Sequence, residues 1–223
     1  MAGFGLQSSF DMIAKTVFNG RSEVGGKRAM RYSKGHKEAT RQRIIDTAAA
    51  RFRGEGIAAV GVANLMGDIG LTQGGFYNHF ESKDDLAREA VSQAWNSTYD
   101  RLEKALHDPE RGGVEAMINS YLSARHRDAM AEGCVAAALS PEIARGADVV
   151  RAEFTRGVER MVSLLADALP RTLKPKQRRA TAMALFSTLV GTLAMARAVA
   201  DVHASDDILA AGRKAALALV AAS

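Results

Sequence analysis

Residues 62–90, VANLMGDIGLTQGGFYNHFESKDDLAREA, decide how the chain is read. Val62, Leu65, Met66 and Ile69 recur at helical spacing and predict a short helix over about 62–69. Gly61 is its N-cap, a weaker choice than Ser or Thr, and Gly67 inside it costs about 1 kcal/mol against alanine. Gly70-Leu71 turns the chain, and Thr72 caps a second short helix through about His79. Two short helices around a tight turn make a helix-turn-helix. Ser82-Lys83-Asp84-Asp85 is a capping-box-like start for a long helix that runs to about His107 and is closed by Pro109.

Upstream, Ile44, Ile45, Ala48, Ala49 and Phe52 share one face of a helix over about 37–54, which Gly54 and Gly56 stop. Charge concentrates there. Arg28, Arg31, Lys34, Lys37, Arg41, Arg43, Arg51 and Arg53 face only Glu38 and Asp46, a local excess of +6, whereas the whole chain carries +5. A basic first helix leading into a helix-turn-helix points to double-stranded DNA as the partner. Residues 1–30, with Gly3, Gly5, Gly20, Gly25 and Gly26 and no sustained periodicity, read as a flexible N-terminal extension.

The stretch RQRIIDTAAARFRGEGIAAVGVANLMGDIGLTQGGFYNHFESKDDLAREA closely resembles the DNA-binding domain of the TetR family of transcriptional repressors, most strongly over residues 37–90. The resemblance implies three N-terminal helices that bind DNA, a helical effector-binding domain and a homodimer. It divides the chain into the extension, a helix-turn-helix domain over residues 31–81 and a helical effector-binding and dimerisation domain over 82–223. Thr72, at the start of the recognition helix, suits a phosphate. Gln73 can pair with a base edge, and Gly74 and Gly75 let the backbone approach the groove. Tyr77 and His79 resemble the family's DNA-touching Tyr and His, Asn78 adds a polar contact, and Lys83 matches a phosphate-binding lysine. Phe76 and Phe80 read as core. Gly61 departs from the family's Ser or Thr.

The remaining chain is also helical: segments at 114–131, 148–168, 175–201 and 206–221 are expected, with Ser140-Pro141-Glu142 opening another by placing a cap before a first-turn proline. The run HRDAMAEGCVAAALSPEIA, residues 126–144, resembles a TetR subgroup, that of the N-ethylmaleimide reductase repressor, in which the cysteine after the glycine senses electrophiles or oxidants. Cys134 holds that place, and Arg125, His126 or Arg127 could activate its thiol if folded nearby. The plain alternative is a small buried hydrophobe beside Val135 and Ala136. An effector pocket is expected between the segments at 82–107, 114–131, 148–168 and 175–201. Its walls would include Trp95, Tyr99, Met117, Tyr121, Phe154, Met161 and Phe186, with Asn119, Arg125, His126 and Glu153 as polar anchors. Dimerisation is assigned to the last two helices, through Ala184, Thr188, Gly191, Thr192, Met195 and Val199 of one and Ile208, Ala211, Ala215 and Leu219 of the other.

Composition agrees with an all-α protein: alanine is abundant, the four prolines lie beyond residue 108, and 47% apolar with 25% charged residues is an ordinary globular mix. One cysteine excludes a disulfide framework and suits a reducing cytoplasm. The longest uncharged run, Ala180–Ala196, spans 17 residues and is short for a membrane crossing, so no membrane partner is expected. The five histidines show no close ligand spacing, so no metal and no cofactor are expected. Two rival classes remain: an enzyme with Cys134 as nucleophile, which leaves the helix-turn-helix unexplained, and a constitutive DNA binder without an effector, which predicts a filled core.

Overall fold

In this computed structural model the described residues are 24–110 and 112–222, with side chains from Gly35 onward. Residues 1–23 of the expected extension lie outside them. The described residues fall into two compact units, divided between residues 42 and 43. In the first, residues 24–42 belong to α1 (Val24–Glu55). The helix thus starts well before residue 37. Gly35 to Ala39 are exposed, so no buried face marks this part in the sequence. Helix-favouring Lys27, Arg28, Ala29, Met30 and Arg31 sustain it instead.

The second unit holds the rest of α1 and nine further helices among the described residues: α2 (Val62–Asp68), α3 (Gln73–Phe76), α4 (Lys83–His107), α5 (Val114–Tyr121), α6 (Ala124–Asp128), α7 (Val135–Ile143), α8 (Asp148–Ala168), α9 (Pro175–Ala198) and α10 (Val202–Ala221). The all-α expectation holds. Ile44, Ile45, Ala48, Ala49 and Phe52 of α1 are buried together with Leu65, Met66, Phe76 and Phe80. Gly70, at φ +74, makes the turn after α2 that a side chain would strain. Ser82 caps α4 by accepting the Asp85 N–H at 3.1 Å.

Other expected boundaries shift as well. The second short helix ends at Phe76 rather than near His79, and residues 77–79 form a turn. The segment at 114–131 is two helices, because the chain leaves the helix at Leu122 and Ser123 restarts it, its hydroxyl accepting the His126 N–H at 3.2 Å. Ser140-Pro141 does not open a helix. Pro141 lies in the last turn of α7, and Cys134 is the residue before its first turn. The Ser140 hydroxyl donates to the Ala136 carbonyl one turn back. Near the C-terminus, Asp201 accepts the Ala204 N–H at 2.7 Å and so starts α10 at Val202 rather than near 206.

Long α4 packs on α8, and α9 packs on both α8 and α10. By length and composition α9 could cross a membrane. However, Ala182, Leu185, Phe186, Leu189, Leu193 and Ala196 are buried along its inner side.

Candidate nucleic-acid interface and the Cys134 junction

The outer face of the helix-turn-helix is built by what lies beneath it. Phe76 and Phe80 stack at 5.4 Å and are almost wholly buried, which anchors α3 from below. Thr72, Gln73, Gly74, Tyr77 and Asn78 are then left exposed on its outer side. Tyr77 is 65% exposed, an unusual position for a large aromatic ring. The two glycines divide their roles. Gly74 has open space beside it, whereas Gly75 faces the Met66 side chain across the α2–α3 contact. His79 is half-buried with its ring 6.4 Å from that of Phe80. Lys83 begins α4 and donates its ammonium to the Ala58 carbonyl at 3.3 Å.

The basic cluster is less free than its sequence implies. Arg28, Arg31 and Lys34 fall outside the described side chains. Arg51 pairs with Glu55 at 2.7 Å and with Asp68 at 2.6 Å. Arg53 is only 8% exposed and donates to the Gly133 carbonyl at 3.2 Å. Lys37 and Arg43 remain exposed.

Arg53 leads to the second feature. The loop before α7 is held by three arginines from three helices. From α4, Arg101 donates to the Glu132 carbonyl at 2.8 Å and approaches His126 Nε2 at 3.3 Å. From α9, Arg197 donates to the carbonyls of Arg127 and His126 at 3.1 and 2.8 Å. Gly133 is required here, because a Cβ would lie 2.4 Å from the Arg197 guanidinium. His126 is buried with its Nδ1 2.7 Å from the Tyr121 carbonyl and its Nε2 3.1 Å from the Cys134 backbone nitrogen. This geometry requires a proton on Nδ1 and a lone pair on Nε2, the neutral ring. Burial, reinforced by Arg101, drives its pKa down to about 4.

Cys134 is completely buried. Its thiol faces the buried Tyr121 phenol, which burial and the thiol push well above the ordinary range. Burial also lowers the pKa of Arg53 and Arg197, whose guanidiniums lie within electrostatic range of the thiol. Of the residues expected to activate Cys134, His126 is adjacent but neutral. Arg127 turns away to Asp206 and Ser205, at 2.6 and 3.0 Å, and Arg125 is exposed. The nearby cations are those of Arg53 and Arg197, with Arg101 on the adjoining loop; the sequence reading placed Arg53 in the basic cluster and named neither of the other two. The signal for Arg53 and Arg197 was register: Arg53 follows Ile45 and Ala49, and Arg197 follows Leu189 and Leu193, at four-residue steps along buried faces.

The expected pocket walls are packed. Trp95 is buried between Phe154 and Phe186, at ring distances of 5.4 and 6.1 Å. A Cβ on Gly157 would come within 2.2 Å of the indole, so the space there is filled. Tyr99 lies under the Arg160 guanidinium at 3.7 Å and serves the α4–α8 contact. Met117, Tyr121 and Met161 are buried in the core, Asn119 is exposed, and Glu153 pairs with Arg156. Open space lies instead along α4, α5 and α6, in a cleft of about 440 Å3 that includes Arg125 and His126.

At the far end of α7, the Glu142 carboxylate accepts the N–H groups of Ile57 and Ala58 at 2.9 and 2.5 Å. These belong to the turn that joins α1 to α2. The nine-residue α7 therefore runs from the Cys134 junction to the base of the helix-turn-helix.

The family description "Bacterial regulatory proteins, tetR family" matches residues 44–90. The HTH-type transcriptional repressor DhaR of Mycobacterium sp. (strain GP1) is 26% identical over 122 residues, covering 55% of this chain and 61% of that relative's length. The HTH-type transcriptional repressor NemR of Escherichia coli (strain K12) is 23% identical over 133 residues, covering 58% of this chain and 67% of the relative. Among solved structures, reduced E. coli NemR aligns with a TM-score of 0.66 at 19% identity, over 80% of this chain and 95% of its own. A TetR-family regulator from Cytophaga hutchinsonii aligns with a TM-score of 0.68 at 19% identity, over 84% and 96%. The matched domain coincides with the buried Phe76–Phe80 scaffold and its exposed outer face, so residues 44–90 carry a DNA-binding domain of the TetR-family type.

Proposed function

We propose that the chain is a dimeric, cytoplasmic transcriptional repressor that reads a palindromic operator and is released by a small molecule or electrophile. The observation that carries the DNA reading is the outer side of α3 and the turn after it: Gln73 and Gly74 on the helix and Tyr77 and Asn78 in the turn are exposed together above two buried phenylalanines. Gln73 and Asn78 supply base-edge hydrogen bonds, and Thr72, Tyr77, His79 and Lys83 supply backbone contacts.

Dimerisation is supported by an apolar, small-residue face. Ala180, Met183, Ala184, Ser187, Gly191 and Met195 of α9 are exposed, as are Ala211, Ala215 and Ala218 of α10. Such a surface allows helices of a second copy to approach closely in a four-helix arrangement. Thr192 is not free to join it, because it packs against Gly212 of α10.

Release is supported by continuity. Cys134 starts α7, and Glu142 near its end grips the α1–α2 turn. A change at the junction therefore reaches the DNA-reading head through one short helix. The Cys134 thiol, completely buried beside Tyr121, requires local opening before it meets an electrophile.

The test is selection of duplexes from a random library, followed by quantitative binding. Wild type should enrich an inverted repeat and bind as a dimer, and Tyr77→Ala should lose specific binding while remaining dimeric. Equal binding by Tyr77→Ala, or enrichment of no sequence, overturns the reading.

A further inference from the structure

The cleft along α4, α5 and α6 is charged in an unusual way. Arg101, Lys104 and Arg125 line it together with Asp108 and Glu132, alongside Ser120, Ser123 and His126. Among the described residues, none of the three cations has a carboxylate partner within 4.0 Å, although Arg51, Arg88, Arg127, Arg151, Arg156 and Arg179 all do. The Asp108 carboxylate caps its own turn, accepting the Glu110 N–H at 3.0 Å. His126 is held as the neutral ring by its two hydrogen bonds. Three cations thus outnumber two carboxylates along the cleft. Ala105 and Ala129 add an apolar part to the wall. The volume of about 440 Å3 lies in the range of small-molecule sites.

We propose that this cleft binds a small organic monocarboxylate, its carboxylate held by Arg101, Lys104 and Arg125 and its body against Ala105 and Ala129. The proposal rests on the reading of the chain as an effector-responsive regulator and names the class of effector. The surplus of cations over carboxylates calls for an anion, and the apolar wall calls for one with an organic body. Carboxylates suit a guanidinium particularly well, since two parallel N–H bonds are available.

Binding has a built-in consequence. The Arg101 guanidinium already donates to the Glu132 carbonyl and approaches His126 Nε2, the atom that receives the Cys134 N–H. A bound carboxylate competes for the same guanidinium hydrogens. Occupancy of the cleft is therefore felt at the first residue of the α7 connection.

The experiment uses the full chain and three monocarboxylates of rising size, acetate, benzoate and octanoate, each against its uncharged amide and against inorganic phosphate. Thermal shift and the backbone amide resonance of Cys134 are followed. At least one carboxylate should raise the melting temperature and move that resonance, while its amide and phosphate do neither. Lys104→Gln with Arg125→Gln, both exposed positions that tolerate change, should weaken carboxylate binding about tenfold or more. No response to any of the three, an equal response to the amide or phosphate, or full retention in the double variant overturns the proposal. DNA binding is measured separately on the same protein. DNA binding without a carboxylate response removes this proposal and leaves the regulator reading standing. A carboxylate response without DNA binding does the reverse.

Discussion

His126 Nε2 accepts the backbone N–H of Cys134 at 3.1 Å, and this bond ties the loop after α5 to the start of α7. The bond exists only while the ring is neutral, since a protonated Nε2 would confront the N–H with a second donor. The ring's pKa falls from 6.5 to about 4, chiefly through burial. Between those values the unfolded chain takes up a proton that the native state refuses. Stability is therefore complete above pH 6.5 and declines as the pH falls toward 4, by roughly 3 kcal/mol in all. Urea unfolding from pH 7.5 to 4.5 should show this loss in the wild type and a flatter profile in His126→Gln. Parallel profiles would sink the assignment.

Glu142 holds the α1–α2 turn by two N–H groups, and Gly56 beside it has φ +92. Glu142→Ala leaves both donors without their acceptor and should cost about 1–3 kcal/mol. Glu142→Gln keeps one acceptor and sets an NH2 against the other donor, so it too should destabilise. Hydrogen exchange gives a local readout: the Ile57 and Ala58 amides should exchange faster in both variants, by more than the α8 amides, which follow global stability. Unchanged exchange at these two amides would show that the carboxylate does not hold the turn.

The end of α1, the turn between α2 and α3 and the start of α4 were legible because local chemistry writes those boundaries, whereas the start of α1 carries no such mark. Gly56, Gly70 and Ser82 each stop, turn or cap within a few residues of the element they define. The breaks around Leu122 and Cys134 were not legible, because distant partners set them. The Leu122 carbonyl accepts from Arg213 of α10 at 2.5 Å, and the Cys134 N–H is claimed by a histidine eight residues earlier. Ser-Pro is compatible with either end of a helix, so the pair at 140–141 could not reveal which end it marked. In the candidate site, the outer face of α3 is one short segment and reads directly. The junction draws Arg53, Arg101 and Arg197 from three helices, and only the buried registers of Arg53 and Arg197 hinted at it.

Two helical glycines predict opposite responses to alanine. Gly67 in α2 has open space where a Cβ would go, so Gly67→Ala should stabilise by about 1 kcal/mol through helix propensity alone. Gly212 in α10 would place its Cβ 2.2 Å from Thr192 Cγ2 on α9, so Gly212→Ala should destabilise by about 1–3 kcal/mol. Removing the obstacle should reverse much of that loss, and Thr192→Ala combined with Gly212→Ala should be more stable than Gly212→Ala alone. Thermal unfolding of the wild type and the three variants decides it; equal responses at the two glycines would contradict the packing described for α9 and α10.

Salt dependence of DNA binding distinguishes charges that are free from charges that are only present. The stretch from Arg28 to Arg53 carries a formal excess of +6. Arg51 is nevertheless committed to Glu55 and Asp68, and Arg53 is buried against Gly133. Each phosphate contact contributes about 0.9 to the slope of log K against log salt. Lys37→Gln and Arg43→Gln, at exposed positions, should each reduce that slope by about 1 if the side chain meets a phosphate. Arg51→Gln should leave the slope nearly unchanged, because the carboxylates it neutralises already cancel its charge. Arg53→Met should lower stability, through loss of its bond to the 133 carbonyl, before it alters the slope. A drop of about 1 for Arg51→Gln, with none for Lys37→Gln or Arg43→Gln, would mean that Arg51 leaves its two carboxylates to meet DNA.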